Sequence, residues 1–366
     1  MNELIGSDRN DRFRFFVDAM TEHQTPNDQV ANDAAKPITP RRRKNVTSDL
    51  IQRIRESANQ LEKDGSTRGD LKLLSRALRE LRYAFKVFAP YRAHPKVTVF
   101  GSARTPSDDP NYQLAVAFGK AAAENEWFVI TGAANGIMEA GHEGAGREMS
   151  MGLNILLPFE TDANPIIVGD EKLVHMKYFF TRKLMFVKEC EAVVCFPGGF
   201  GTLDETLEVL TLLQTGKREP VPVILMEKPG GTYWKTFHEF IKSELLGGGN
   251  ISAEDFHLYM ITSDVDEAVE EMIGFYRNYH SMRYVRDRLV FRLFHKPSDE
   301  LIAELNRDFT DILHSGGYEP GEALPGEKDQ PDLADLPRLV FHFNRRNHGR
   351  LRQLINRLNQ EVISTP

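Results

Sequence analysis

The densest run of chemistry-bearing residues in the chain is Pro197-Gly198-Gly199-Phe200-Gly201-Thr202-Leu203-Asp204-Glu205, between the apolar run AVVCF (192–196) and an apolar helical stretch. Three glycines at a strand-to-helix turn let the backbone approach a ligand closely. The helix that follows opens with unpaired N–H groups and partial positive charge, which suits a phosphate. Thr202 adds a hydroxyl donor. Asp204 and Glu205 fall in the first helical turn, where a carboxylate also complements the helix dipole. The turn is not a Walker A loop, because no Gly-Lys-Ser/Thr follows, and its GFG does not extend to GxGxxG.

A second group, Phe180-Thr181-Arg182-Lys183, opens the helix before AVVCF. Two cations there oppose the helix dipole, so a purely structural role fits them poorly, and an arginine fork matches phosphate or carboxylate. Two further βα turns carry small residues able to cradle phosphate or ribose: Thr131-Gly132-Ala133-Ala134-Asn135-Gly136 and Gly101-Ser102-Ala103-Arg104. Each alone is a weak signal; together they line one sheet edge. His142, His175 and His238 show no ligand spacing, and Cys190 and Cys195 form no CxxC, so neither a metal site nor a disulfide framework is expected.

The elements that must hold these turns follow from periodicity. Short apolar runs at 97–101, 127–131, 153–157, 192–196 and 222–226 alternate with helical segments at 111–125, 137–149, 182–190, 202–215 and 233–246. That grammar predicts an α/β fold with a doubly wound parallel sheet, whose ligands sit at the carboxyl ends of the strands. Residues 1–46 read as a flexible segment with a basic run at Arg41–Lys44, and 47–96 as a helical lead-in. The core spans 97–280, ending in a helix over 264–280, and 281–366 reads as a small C-terminal α/β domain with a strand at 283–294, a helix at 299–314, a strand at 339–343 and a helix at 348–362. Six acids and one lysine fall in 316–336, against six arginines and one acid in 337–366. Either the two stretches pair with each other, or the arginines meet an anionic partner or effector.

With 366 residues, 41% hydrophobic and 27% charged, the composition is that of an ordinary globular chain of two or three units. No apolar run is long enough to span a membrane, the opening residues lack a signal peptide's apolar stretch so a cytosolic chain is expected, and two cysteines suit a reducing cytoplasm. A net charge of −7 speaks against general nucleic-acid binding.

GSA after the first strand, TGxxxGIMEA, FTRK and PGGFGTLDE together resemble the LOG (Lonely Guy) family of nucleoside 5′-monophosphate phosphoribohydrolases, often labelled lysine decarboxylase-like. The motif PGGxGTxxE is matched in full by 197–205 and the family's Arg-Lys pair by 182–183, over a Rossmann-like stretch of about 97–246. The resemblance implies cleavage of the N-glycosidic bond of an AMP-like or N6-modified purine nucleotide, with Arg182 and Glu205 as the catalytic pair. Substrate contacts would come from Gly101, Ser102, Gly132, Gly136, Lys183, Gly198, Gly199, Phe200, Gly201, Thr202, Asp204 and Thr211. It also implies a homodimer or higher homo-oligomer and no cofactor. A non-catalytic carrier or sensor of a phosphorylated cofactor or nucleotide, like molybdenum-cofactor carriers, is the alternative. Where the family commonly has a GGGxxG turn, this chain has Gly132-Ala133-Ala134-Asn135-Gly136, which bears on substrate choice. A family carboxylate contact after the third strand is expected near Glu160.

Overall fold

A computed structural model describes residues 47–156 and 163–364. The basic run Arg41–Lys44, Pro158-Phe159 and Glu160 lie outside them.

Two helices lead in, α1 (Ser48–Lys63) and α2 (Arg68–Phe88). A capping box closes the start of α2: Thr67 accepts from the Asp70 amide while the Asp70 side chain accepts from the Thr67 amide. Helix α1 buries none of its residues, whereas α2 buries Ala77, Glu80, Ala84 and Phe88.

The parallel sheet follows: β1 (Lys96–Phe100), α3 (Pro110–Glu124), β2 (Phe128–Thr131), α4 (Ile137–Ala145), β3 (Ser150–Ile155), β4 (Leu173–Met176), α5 (Phe179–Glu189), β5 (Ala192–Cys195), α6 (Phe200–Gln214), β6 (Val223–Met226), α7 (Tyr233–Phe240), β7 (Met260–Thr262) and α8 (Val265–Gly274). Seven strands pair in the order β4-β3-β2-β1-β5-β6-β7, all parallel. This is the doubly wound α/β sheet expected, with β4 and β7 added at its edges. The direction of winding reverses between β1 and β5, whose register pairs Val97 with Ala192 and Phe100 with Cys195. Alternate strand residues feed two apolar layers. Val97, Val99, Ala192 and Val194 join α3, α4 and α8, while Phe100, Val193 and Cys195 join α2, α5 and α6.

The C-terminal part differs from expectation. Helix α8 stops at Gly274, and the stretch expected as one strand is a hairpin, β8 (Tyr279–Val285) and β9 (Arg288–Leu293). After α9 (Asp299–Asp308) comes a further strand, β10 (Leu313–Gly321), then β11 (Arg338–Phe343) and α10 (His348–Ser364). The four strands form an antiparallel sheet in the order β10-β11-β9-β8. Apolar residues of β9, β11 and α10 continue the layer that covers α3, α4 and α8. The Asn359 carboxamide oxygen accepts from the amides of Asn278 and Tyr279 at 2.8 and 2.9 Å, and its nitrogen donates to the Phe275 carbonyl at 2.6 Å, pinning α10 to the entry of β8.

Candidate active site

At the carboxyl ends of β1, β2, β3 and β5, beside the reversal point, lies a cleft of ≈ 490 Å³. Its lining includes Gly101, Ser102, Gly132, Arg182, Gly199, Phe200, Gly201, Thr202, Asp204 and Glu205, so ten residues singled out from the sequence share one wall system.

The glycine turn is built tightly. A methyl on Gly198 would stand 2.1 Å from the Thr202 hydroxyl and 2.9 Å from the Ser102 amide, so glycine is required there by its neighbours. The Gly198 carbonyl accepts from the Tyr233 hydroxyl at 2.8 Å, and the Pro197 carbonyl from the Ser102 amide at 3.2 Å. Gly199 and Gly201 are different: a methyl on either would meet no protein atom within 4 Å. Gly199 is the N-cap of α6 and no side chain caps that helix start. Phe200 stands 93% exposed at the rim.

Glu205 lies on the first turns of α6 and is only 9% exposed. The Lys183 ammonium, arriving from α5, is 3.2 Å from Glu205, 3.0 Å from Asp204 and 2.8 Å from Glu208. One cation is thus divided among three carboxylates. Burial therefore wins at Glu205 and holds its carboxyl above the usual range, despite the pull of Lys183 and the field of Arg182. Burial alone would lower Lys183, but its bonds to Glu208 and Asp204 and the charge of Glu205 hold the ammonium well above its ordinary value.

Arg182 enters from the same helix. Its Nε donates to the Leu153 carbonyl at 2.8 Å and its guanidinium carbon sits 5.1 Å from the centre of the Phe186 ring. The guanidinium passes directly over Gly132, where a methyl would be 2.1 Å from Nη2 and 2.7 Å from the Met138 sulfur. Gly132 therefore makes room for Arg182. Helix α5 has no side-chain cap of its own. Glu80 of α2 supplies one: it accepts from the Lys177 amide at 3.0 Å and the Thr181 hydroxyl at 2.9 Å. Those bonds and Arg76 hold the Glu80 carboxyl below its usual range against the opposing effect of burial. The lead-in helix thereby fixes the segment that presents Arg182 and Lys183.

The turn after β2 is wired from beneath. Buried His142 meets the Thr131 hydroxyl at 3.1 Å and the Met151 carbonyl at 3.0 Å, and Asn164 meets its other nitrogen at 3.2 Å. Burial drives the His142 pKa down to about 4, so the ring is neutral. The Thr131 hydroxyl also accepts from the Ala133 amide at 2.9 Å, and the Ala133 carbonyl accepts from the Asn164 amide at 2.8 Å. Ala133 has φ 60°, a left-handed conformation that favours glycine. Its methyl is accommodated because β3 carries Gly152 opposite, where a Cβ would come within 3.1 Å of it. The core thus absorbs the departure from a glycine-rich turn at Ala133, whereas Ala134 lines the cleft. Gly136 (φ 66°) is needed for close approach: a methyl would lie 2.3 Å from the Ser102 carbonyl, which accepts from the Ile137 amide at 3.0 Å.

Gly136, Lys183 and Gly198 thus support the cleft without lining it. Thr211 is the exception: exposed on α6 some six residues beyond Glu205, it does not reach the cleft. A helix rises about 1.5 Å per residue, which carries it away from the sheet edge. Several contributors escaped the sequence reading. Asn154, mostly buried at the end of β3, lines the cleft beside Met138 of the TGxxxGIMEA motif, and Glu208 completes the carboxylate group. Asn154 left one trace, a lone amide in an otherwise apolar strand; Glu208 follows Asp204 by one helical turn.

The family model described as "Possible lysine decarboxylase" matches residues 131–272, which begin at the last residue of β2 and take in the Gly132 turn, β3, α5, β5 and α6, but not β1 and its turn. The chain is 31% identical over 122 residues to cytokinin riboside 5′-monophosphate phosphoribohydrolase LOG7 of Arabidopsis thaliana, covering 31% of this chain and 54% of that protein. It is 30% identical over 159 residues to the LOG phosphoribohydrolase of Oryza sativa subsp. japonica (42% and 62%), and 24% identical over 182 residues to the probable enzyme LOG4 of the same plant (48% and 75%). In sequence the core resembles LOG phosphoribohydrolases. Its matches span between about half and three quarters of the length of these LOG relatives. Among solved structures, the molybdenum cofactor binding protein of Rippkaea orientalis is 20% identical over 48% of this chain and 94% of its own, at a TM-score of 0.34. The molybdenum cofactor carrier protein of Chlamydomonas reinhardtii is 21% identical over 50% and 99%, at 0.33. Among the described residues, no helix is long and apolar enough to cross a membrane.

Proposed function

We propose that the chain is a cytoplasmic phosphoribohydrolase that cleaves the N-glycosidic bond of an AMP-like or N6-modified purine nucleoside 5′-monophosphate, giving free base and ribose 5-phosphate. One observation carries the reading: a buried carboxylate with a raised pKa, Glu205, and an arginine from a different helix, Arg182, border a cleft whose third wall is an uncapped glycine turn. The open space over Gly199 and Gly201 supports phosphate at the start of α6, since nothing in the protein itself demands glycine at those two positions.

In this reading the 5′-phosphate docks on the α6 turn and the Thr202 hydroxyl, and Arg182 neutralises part of its charge and orients the nucleotide. The C1′–N bond then breaks, its electron pair leaving with the base and cationic charge spreading over C1′ and the ring oxygen. The Glu205 carboxylate stabilises that charge and positions a water. The water oxygen bonds to C1′, and its released proton is balanced by the one the base nitrogen takes up. The Lys183 ammonium, 3.2 Å away, favours the ionised form of Glu205 against burial. The LOG relatives, named for a nucleoside 5′-monophosphate substrate, agree with this chemistry.

A homodimer or higher homo-oligomer belongs to the same proposal, supported by exposed Phe179, Phe180 and Leu184 on α5 and Leu207 on α6. Light scattering at the single-chain mass of 41.6 kDa would contradict it.

The test is incubation with a panel of nucleoside monophosphates and chromatography of the released base. Release from a purine monophosphate, lost in Glu205→Gln, is expected. A tightly held phosphorylated ligand without turnover would replace the enzyme by a carrier, because a carrier needs the phosphate grip and not the carboxylate.

A further inference from the structure

The second sheet holds a charge imbalance that the cleft chemistry does not use. We propose that the groove beside the β8–β9 turn binds a small, multiply charged, phosphate-bearing ligand. The groove encloses ≈ 500 Å³ between hairpin residues that include Arg283, Arg286 and Arg288 and the Leu324–Gly326 segment, a volume suited to a nucleotide-sized molecule.

Three features converge on this site. The first is the floor. Arg292 and Arg338, both buried, share the single buried carboxylate of Glu327, at 2.8 and 3.2 Å. Two buried guanidinium groups thus share one carboxylate directly after the Leu324–Gly326 wall, where weak screening lets their surplus charge act on a bound anion. Arg283 lines the groove as one half of an ion pair, donating to Asp329 at 2.9 Å and to the Gln330 carboxamide at 3.1 Å.

The second is the backbone. Arg286 has φ 59° and Arg345 has φ 61°. Left-handed positions in tight turns favour glycine or asparagine, so folding alone gives no reason for an arginine at either. The two touch: the Arg345 guanidinium lies 4.6 Å from the centre of the Tyr284 ring and its Nη2 reaches within 3.4 Å of the Arg286 carbonyl. Arg345 thus braces the turn, while Arg286 lines the groove in a backbone conformation that does not call for an arginine.

The third is rigidity. Glu327 accepts from the Leu324 amide at 3.0 Å while bonding both buried arginines, so the wall opposite the hairpin is tied to the floor. Of the acids nearby, Asp329 pairs with Arg283, and the exposed Asp287 lies 3.4 Å from the His342 ring. Arginine forks match phosphate oxygens in pairs. The whole chain carries −7, which repels an extended polyanion and favours a small ligand over nucleic acid.

Isothermal titration of the full chain with inorganic tripolyphosphate tests the site, performed throughout on an Arg182→Ala background that weakens the cleft; binding left at the α6 turn is common to every variant, so the groove is read from the change its own substitutions cause. That background separates failure here from failure of the phosphoribohydrolase reading. The expected result is binding to Arg182→Ala that weakens about tenfold or more when Arg286→Gly and Arg288→Ala are added. Arg286→Gly also relieves the left-handed backbone, so its melting temperature should not fall. A merely structural arginine would give the reverse, unchanged binding and lower stability. Absence of tripolyphosphate binding to Arg182→Ala, equal binding by the triple variant, or binding of short single-stranded DNA in its place would each overturn the proposal.

Discussion

Glu205 and Glu327 are both buried carboxylates held by cations from other elements, but their stoichiometries are opposite. At the cleft, one ammonium serves three carboxylates. In the antiparallel sheet, one carboxylate serves two guanidinium groups. Burial raises the Glu205 pKa because its share of Lys183 is too small to offset desolvation. Burial pushes Glu327 the same way, yet the Leu324 amide, Arg292 and Arg338 overturn it and hold that carboxyl below the usual range. Burial alone therefore does not decide whether an acid is poised for chemistry or locked into structure; the local ratio of cations to anions does.

The largest effect expected from this contrast is on turnover. Glu205→Gln should lower the rate of base release by roughly two to four orders of magnitude, read in a chromatographic assay. The same variant should melt no lower than the parent at neutral pH, because an under-compensated buried charge has been removed while Lys183 keeps Asp204 and Glu208. A large loss of stability would show that Glu205 is structural.

Next in size, Glu327→Gln should destabilise the fold by about 3–5 kcal/mol in denaturant titration, since two buried guanidinium groups lose their counter-charge. Arg338→Met should cost less, because it leaves a neutral Arg292–Glu327 pair. If the two variants were equally damaging, the surplus of positive charge would be illusory.

Stability against pH should separate the two acids by sign. Glu205 has a raised folded pKa, so its contribution is present below the ordinary glutamate pKa and lost as pH rises through the raised value. Glu327 has a lowered one, so its contribution is present above the ordinary value and lost as pH falls through the folded pKa. Relative to the parent, Glu205→Gln should therefore gain and Glu327→Gln should lose at neutral pH. Both gaps should close in acid, as melting curves across pH would reveal.

The smallest expected effect is an upward shift in the acid limb of kcat/KM for Lys183→Met, because Glu205 loses the one cation in direct contact with it among the described residues. An unmoved limb would assign that titration to another group.

Much of this was legible in the residues themselves. Runs such as AVVCF and PVILM are apolar because both faces of their strands are covered, and each is followed by a glycine-bearing turn, so β5, β6 and the α6 turn declared themselves. Strand β4 did not: LVHM is a four-residue edge strand with His175 exposed. The β8–β9 turn is Arg286-Asp287, which lacks the glycine or asparagine that marks a tight hairpin, so two strands read as one. Strand β10 carries Gly316, Gly317 and Pro320, residues that ordinarily signal a loop. Thr211, assigned to the cleft by resemblance, is carried out of reach by the length of α6.

By itself the sequence determined where phosphate-compatible turns occur, because glycines, helix starts and apolar runs are local signals along the chain. It also determined the residue types at the cleft, Arg182, Lys183 and Glu205 among them. Only the tertiary structure decided the partners. Strand order β2-β1-β5 brings the Gly132 turn beneath Arg182, and α2 supplies Glu80 as the missing cap of α5. Packing of α5 against α6 sets one lysine among three carboxylates. The charge balance at a buried group is a sum over elements distant in sequence, and local composition does not contain that sum.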